Sequence, residues 1–98
     1  MVRLAPSEHY RFTQACPGSM DLTFGGAESS VAASVSMLGG SSRFVSALPQ
    51  HAIADAFVRQ MRGFKVDVDH VLRREAGRFG IYYVESGANQ RPSRVIYD

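Results

Sequence analysis

Two places in this chain set residue types at spacings that could do chemistry. Gly25 and Gly26 stand in DLTFGGAESS, where an alternating stretch gives way to helical spacing. Glycines there permit close backbone approach to an uncharged, hydroxylated ligand, or a tight turn; taken alone, the turn is the better reading. A phosphate cradle does not fit. The pair lacks the Lys-Ser/Thr of a P-loop and the third glycine of a dinucleotide fingerprint, and Glu28 puts a carboxylate in the first helical turn, where it would repel an anion. In GRFGIYYVE, period two sends Tyr82 and Tyr83 to opposite faces of a strand, with Gly80 leaving a shallow space beside Tyr82. Tyr97 follows on the next strand, in RVIYD. Tyrosines from neighbouring strands can hydrogen-bond a ligand, although in antiparallel sheets they more often pack.

Other polar groups carry weaker signals. His9, His51 and His70 lack metal-ligand spacing and read as surface residues, so no metal site is expected. Ser29 and Ser30 have no neighbouring histidine and sit in no nucleophile elbow. Asp67 and Asp69, two apart in KVDVDH, share a strand face that is more simply solvated than catalytic.

The elements that must position these residues are legible in outline. Met1 to Phe12 reads as the tail of a strand and a loop, and Met20 to Phe24 as a half-buried strand. Ala27, Val31, Val35 and Leu38 form one helical face ended by Gly39-Gly40. Arg43 to Leu48 is a nearly continuous apolar run, suited to a strand buried on both faces. A second helix follows, with Ile53, Phe57, Met61 and Phe64 in one stripe and an Asp55–Arg59 pair opposite. Asp69 to Arg74, Phe79 to Glu85 and Arg94 to Asp98 then read as strands of a small antiparallel sheet.

The whole is an α/β chain with a parallel sheet and an appended lid-like sheet. With 98 residues it makes one small domain at most, and 11 basic against 9 acidic residues, spread evenly, argue against a nucleic-acid surface. The single Cys16 excludes an internal disulfide and points to a reducing compartment, the cytoplasm. No apolar run is long enough to span a membrane, and the first ten residues are too polar for a signal peptide.

In order and spacing, VRLAPSEHYRF, DLTFGGAESSVAASVSMLGG, FVSALPQHAIADAFVRQMRGFKVDVDHV and GRFGIYYVESGANQRPSRVIYD resemble the N-terminal third of the ribokinase-like (PfkB) carbohydrate kinases, most closely the 2-keto-3-deoxygluconate kinases. The resemblance covers nearly the whole chain. It implies a partial Rossmann-type parallel sheet with helices plus a small antiparallel β lid, with residues 25–64 as the α/β core portion and 1–24 and 65–98 as mainly lid strands and connections. It further implies that Gly25 and Gly26 let the backbone approach a sugar acid, that Tyr82 and Tyr97 contact it from the lid, and that ATP and Mg2+ serve the reaction. A homodimer through the lid strands is left open.

Three departures qualify this pattern. Ser30 stands where the family usually has an asparagine that holds substrate hydroxyls. The family's first Gly-Glu strand should precede Met1. The substrate-binding arginine and the Gly-Ala-Gly-Asp stretch, with its catalytic base and ATP site, should follow Asp98, so the 98 residues alone are expected to be inactive. The alternatives are a non-catalytic self-associating or sugar-binding fragment and an unrelated α/β interaction module.

Overall fold

The computed structural model describes residues 1–98, which run β1 (Val2–Ala5), α1 (Phe12–Ala15), β2 (Asp21–Phe24), α2 (Ala27–Met37), β3 (Ala47–Pro49), α3 (Ala52–Gly63), β4 (Leu72–Arg74), β5 (Ile81–Glu85) and β6 (Arg94–Tyr97). They form two compact units, Met1–Phe24 with Gly80–Asp98, and Gly25–Phe79. No helix is long and apolar enough to cross a membrane.

The first unit is a four-stranded sheet in the order β2-β1-β5-β6. Its outer pairs, β1 with β2 and β5 with β6, are antiparallel, but the central pair β1 with β5 is parallel. The sheet is therefore mixed where the sequence reads as antiparallel. Parallel neighbours need a long crossover, and here the 55-residue second unit, Gly25–Phe79, supplies it. Val2 and Ala5, on opposite faces of β1, are both buried, and the Val2 N–H donates to the Gly80 carbonyl at 2.7 Å. The space expected beside Gly80 is filled, since a Cβ there would meet the Met1 side chain at 3.5 Å.

In the second unit, α3 follows its 3.6-residue pattern: Phe57 and Met61 are buried, with Ala54 and Val58 beside them. Ile53 departs from the expected stripe and is 43% exposed. Phe57 is the hub of the core. Phe44 meets its ring edge-on at 5.6 Å and Phe79 at 5.7 Å, and His51 stacks on Phe79 at 6.3 Å. His51 also caps α3, its Nδ1 accepting the Ala54 N–H at 3.1 Å, so it is part of the helix start and not an idle surface histidine.

Four other expectations are corrected in this unit. The apolar stripe of α2 points outward, with Val31 62% and Leu38 88% exposed, while the small residues Ser29, Ala32 and Ser36 are buried. That inner face can pack closely because its hydroxyls are satisfied locally: Ser42 Oγ donates to the Ala32 carbonyl at 2.7 Å, and Ser36 Oγ lies 2.5 Å from Ser42 Oγ. The run from Arg43 to Leu48 is not one strand buried on both faces. A single bridge joins Arg43 to Asp67, β3 begins only at Ala47, and Val45 is 66% exposed. Finally, β4 pairs parallel with β3 instead of joining the other late strands, and Asp55 binds Arg73 at 2.6 Å rather than Arg59. The Arg73 guanidinium also donates to the Pro49 carbonyl at 3.1 and 3.2 Å, tying β4, β3 and the start of α3 together.

Candidate functional site

Register decides which side chains of the first unit can act together. Tyr82 lies directly opposite Tyr97 across the β5–β6 pair, and directly opposite Arg3 across the β1–β5 pair. Arg3 in turn lies opposite Thr23 on β2. Residues opposite one another share a face, so Thr23, Arg3, Tyr82 and Tyr97 form one polar row across all four strands. The tyrosine rings stand 6.0 Å apart and tilted by 32°. Tyr97 is 71% exposed, Tyr82 and Arg3 are half-buried, and Thr23 is exposed.

The row offers two phenol hydroxyls, one alcohol and a guanidinium with five donors in a planar fork. That set suits a ligand with several hydroxyls and one carboxylate. The sequence signalled only the tyrosines; Arg3 and Thr23 were missed, because their relation to Tyr82 arises through pairings between distant segments. The signal that could have found Arg3 is its place in VRLA, a lone cation between inward apolar residues of a short strand.

The other predicted residues, Gly25, Gly26 and Ser30, belong to the second unit. Gly26 is the N-cap of α2 with φ 123° and ψ 134°, a backbone that L side chains rarely adopt. Its carbonyl accepts from the Ser30 N–H at 3.0 Å and from Ser29 Oγ at 3.1 Å. The side chains of Glu28 and Ser30 are exposed in the first turn. Gly26→Ala is expected to cost about 1–2 kcal/mol from backbone strain, read as a lower urea midpoint with an unchanged slope.

Asp67 is occupied structurally, while the Asp69 side chain is exposed with only Arg62 near it, at 3.9 Å. Asp67 accepts the Asp69 backbone N–H at 2.9 Å and pairs with Arg43 at 2.9 Å. The Asp69 amide first, and then the Arg43 guanidinium, hold the Asp67 carboxyl below the usual carboxylate range. A carboxylate so held is a weaker proton acceptor than a free one.

Comparison with known proteins identifies the family and the fold. Residues 5–98 match the model of the pfkB family carbohydrate kinases. The chain is 37% identical over all 98 residues to a 2-dehydro-3-deoxygalactonokinase of Haloferax volcanii, covering 30% of that protein. The crystal structure of 2-dehydro-3-deoxygluconokinase from Thermotoga maritima superposes with a TM-score of 0.92 at 44% identity, over 100% of this chain and 29% of that one. A PfkB family carbohydrate kinase from Listeria grayi superposes with a TM-score of 0.91 at 32% identity, over 100% and 30%. The chain thus spans about 30% of the length of the relatives it matches. Its parallel strand pairs and helices are those of the ribokinase-like fold, and an unrelated α/β module with an accidental likeness is excluded. The chain belongs to the pfkB family of carbohydrate kinases.

Proposed function

We propose that this chain forms the sugar-binding, N-terminal part of a cytoplasmic kinase that transfers the ATP γ-phosphoryl group to 2-keto-3-deoxygluconate or a close sugar acid. The observation that carries the proposal is the in-register row Arg3, Tyr82 and Tyr97, in a chain 44% identical to a 2-dehydro-3-deoxygluconokinase. In this reading the Arg3 guanidinium holds the carboxylate, while Tyr82, Tyr97 and Thr23 hold hydroxyls. Taken by itself, the start of α2 in the second unit is proposed as a place of sugar contact, with Gly25 and Gly26 permitting close backbone approach and Ser30 offering one hydroxyl.

ATP and Mg2+ would supply the transferred group and neutralise its charge. In this reading Glu28, in the first turn of α2, keeps that helix start from serving as a phosphate cradle. The chain's own contribution is to bind and orient the sugar acid, fixing the attacking hydroxyl before phosphoryl transfer.

Arg3→Gln tests the reading. Removing a charge-assisted bond to a carboxylate is expected to weaken calorimetric affinity for 2-keto-3-deoxygluconate by roughly tenfold or more, against a smaller loss for Tyr82→Phe. Equal affinity of Arg3→Gln and the parent would remove the carboxylate assignment. The 98 residues mixed with ATP and the sugar acid are expected to give no turnover above a no-protein control.

A second reading, self-association through the lid strands, is favoured by the opposite sheet face. There Leu22, Leu4, Tyr83 and Ile96 form an apolar row, with Leu22 46% and Ile96 47% exposed.

A further inference from the structure

Glu85 and Arg94 lie opposite each other on the sheet face that carries Tyr83 and Ile96, away from the Tyr82–Tyr97 row. The Glu85 side chain is 3% exposed, yet it accepts no close hydrogen bond. Its Oε1 lies 3.7 Å from Arg91 and its Oε2 3.8 Å from Arg94, both longer than the 2.7–2.9 Å of a charge-assisted bond. Oε2 is buried without a partner, and so is the Arg91 Nε. Buried polar atoms are nearly always satisfied, so an unmet acceptor beside an unmet donor requires an explanation.

Two small cavities open beside this carboxylate. One, about 150 Å³, is lined by Arg11, Phe12, Thr13, Glu85 and Arg94. The other, about 210 Å³, is lined by Arg11, Glu85, Arg91, Pro92 and Arg94. Each has room for several waters at about 30 Å³ apiece, and hence for a tetrahedral oxyanion. Arg91 and Arg94 lie 3.7 and 3.8 Å from the carboxylate and Arg11 lines both cavities, so the surroundings favour an anion, but the buried Oε2 demands a donor from that same anion.

We propose that Arg11, Arg91 and Arg94 around Glu85 form a binding site for a protonated oxyanion, the hydrogen phosphate ion or the monoprotonated end of a phosphomonoester. Its deprotonated oxygens accept from the guanidiniums, while its remaining P–O–H donates to Glu85 Oε2. Sulfate has the same shape and no proton at neutral pH; it would set a lone pair against the carboxylate. A metal cation would satisfy Glu85 but meet three guanidiniums. The site thus selects phosphate by its proton, and it is separate from the sugar-binding face.

Calorimetric titration of the 98-residue chain at pH 7, with sodium phosphate, methyl phosphate and sodium sulfate at matched ionic strength, tests this. Phosphate is expected to bind at least roughly tenfold more tightly than sulfate. Glu85→Gln should bring that ratio close to one, because its amide can donate to sulfate. Only about a tenth of methyl phosphate carries a proton at pH 7, so binding within about tenfold of phosphate assigns the site to phosphomonoesters; weaker binding, still above sulfate, assigns it to the free ion. Arg94→Gln changes a side chain that is 69% exposed and serves should Glu85→Gln not fold; it should weaken phosphate binding while leaving the thermal transition in place. Equal affinity for phosphate and sulfate, no saturable phosphate binding, or unchanged phosphate affinity in Arg94→Gln overturns the proposal.

Discussion

Phe57→Ala is expected to destabilise the second unit by about 3–5 kcal/mol, the range seen when a buried aromatic ring is cut to a methyl group. Phe57 is 2% exposed and its ring is edge-on to both Phe44 and Phe79. Truncation therefore removes two aromatic contacts worth about 0.5–1.5 kcal/mol each beyond area burial, and leaves a void between α3 and its neighbours. Small domains have only about 5–15 kcal/mol in total, so the loss is a large fraction of what is present. Urea unfolding followed by far-ultraviolet circular dichroism should show the midpoint falling sharply, to the point of a largely unfolded variant at 37 °C. Phe57→Leu, which keeps most of the volume, should lose less than half as much. Equal losses for the two would mean that the edge-on ring contacts, and not the volume of the side chain, carry the whole cost.

Glu85→Ala should be comparably costly for the first unit, at about 3–5 kcal/mol, because one member of a buried ion pair is removed and the other stays. The Arg91 side chain is only 21% exposed; it donates to the His9 and Ser86 carbonyls while Glu85 balances its charge. Those bonds fasten the β5–β6 connection to the segment between β1 and α1. Without Glu85 the guanidinium is left buried with its charge uncompensated, and the fastening should open. The double variant Glu85→Ala/Arg91→Leu separates charge from packing. Replacing both partners by apolar groups should recover much of the loss, and chemical denaturation of the three proteins would read it. A double variant no more stable than Glu85→Ala would show that the buried charge is not the cause.

Much of this fold is legible in the sequence where interactions are local. The α3 stripe announces Phe57 and Met61 as core because neighbours three and four apart in a helix share a face whatever surrounds it. The same logic misleads at α2. Its apolar stripe identifies a face that favours cover, but which face is covered here depends on Ser29, Ala32 and Ser36, whose smallness permits close approach and whose hydroxyls find partners nearby. Long-range pairing was the least legible. The preference of Asp55 for Arg73 over Arg59 depends on β3 and β4 being adjacent, and the place of Arg3 beside Tyr82 on a parallel pair separated by most of the chain. Of the candidate site, Tyr82 and Tyr97 were readable from strand periodicity. The glycine pair was readable as a turn, and the φ of 123° at Gly26 gives the physical reason for glycine there. Arg3 and the Glu85 cluster became visible only once register was known.

The central claim is that the Arg3, Tyr82 and Tyr97 row receives a sugar acid. It is tested most directly by following backbone and side-chain NMR signals of the labelled 98-residue chain during titration with 2-keto-3-deoxygluconate. Shifts concentrated at Thr23, Arg3, Tyr82 and Tyr97, saturating together, are the predicted result. Saturable shifts that leave the tyrosine row untouched, or none at all in the millimolar range, would contradict it.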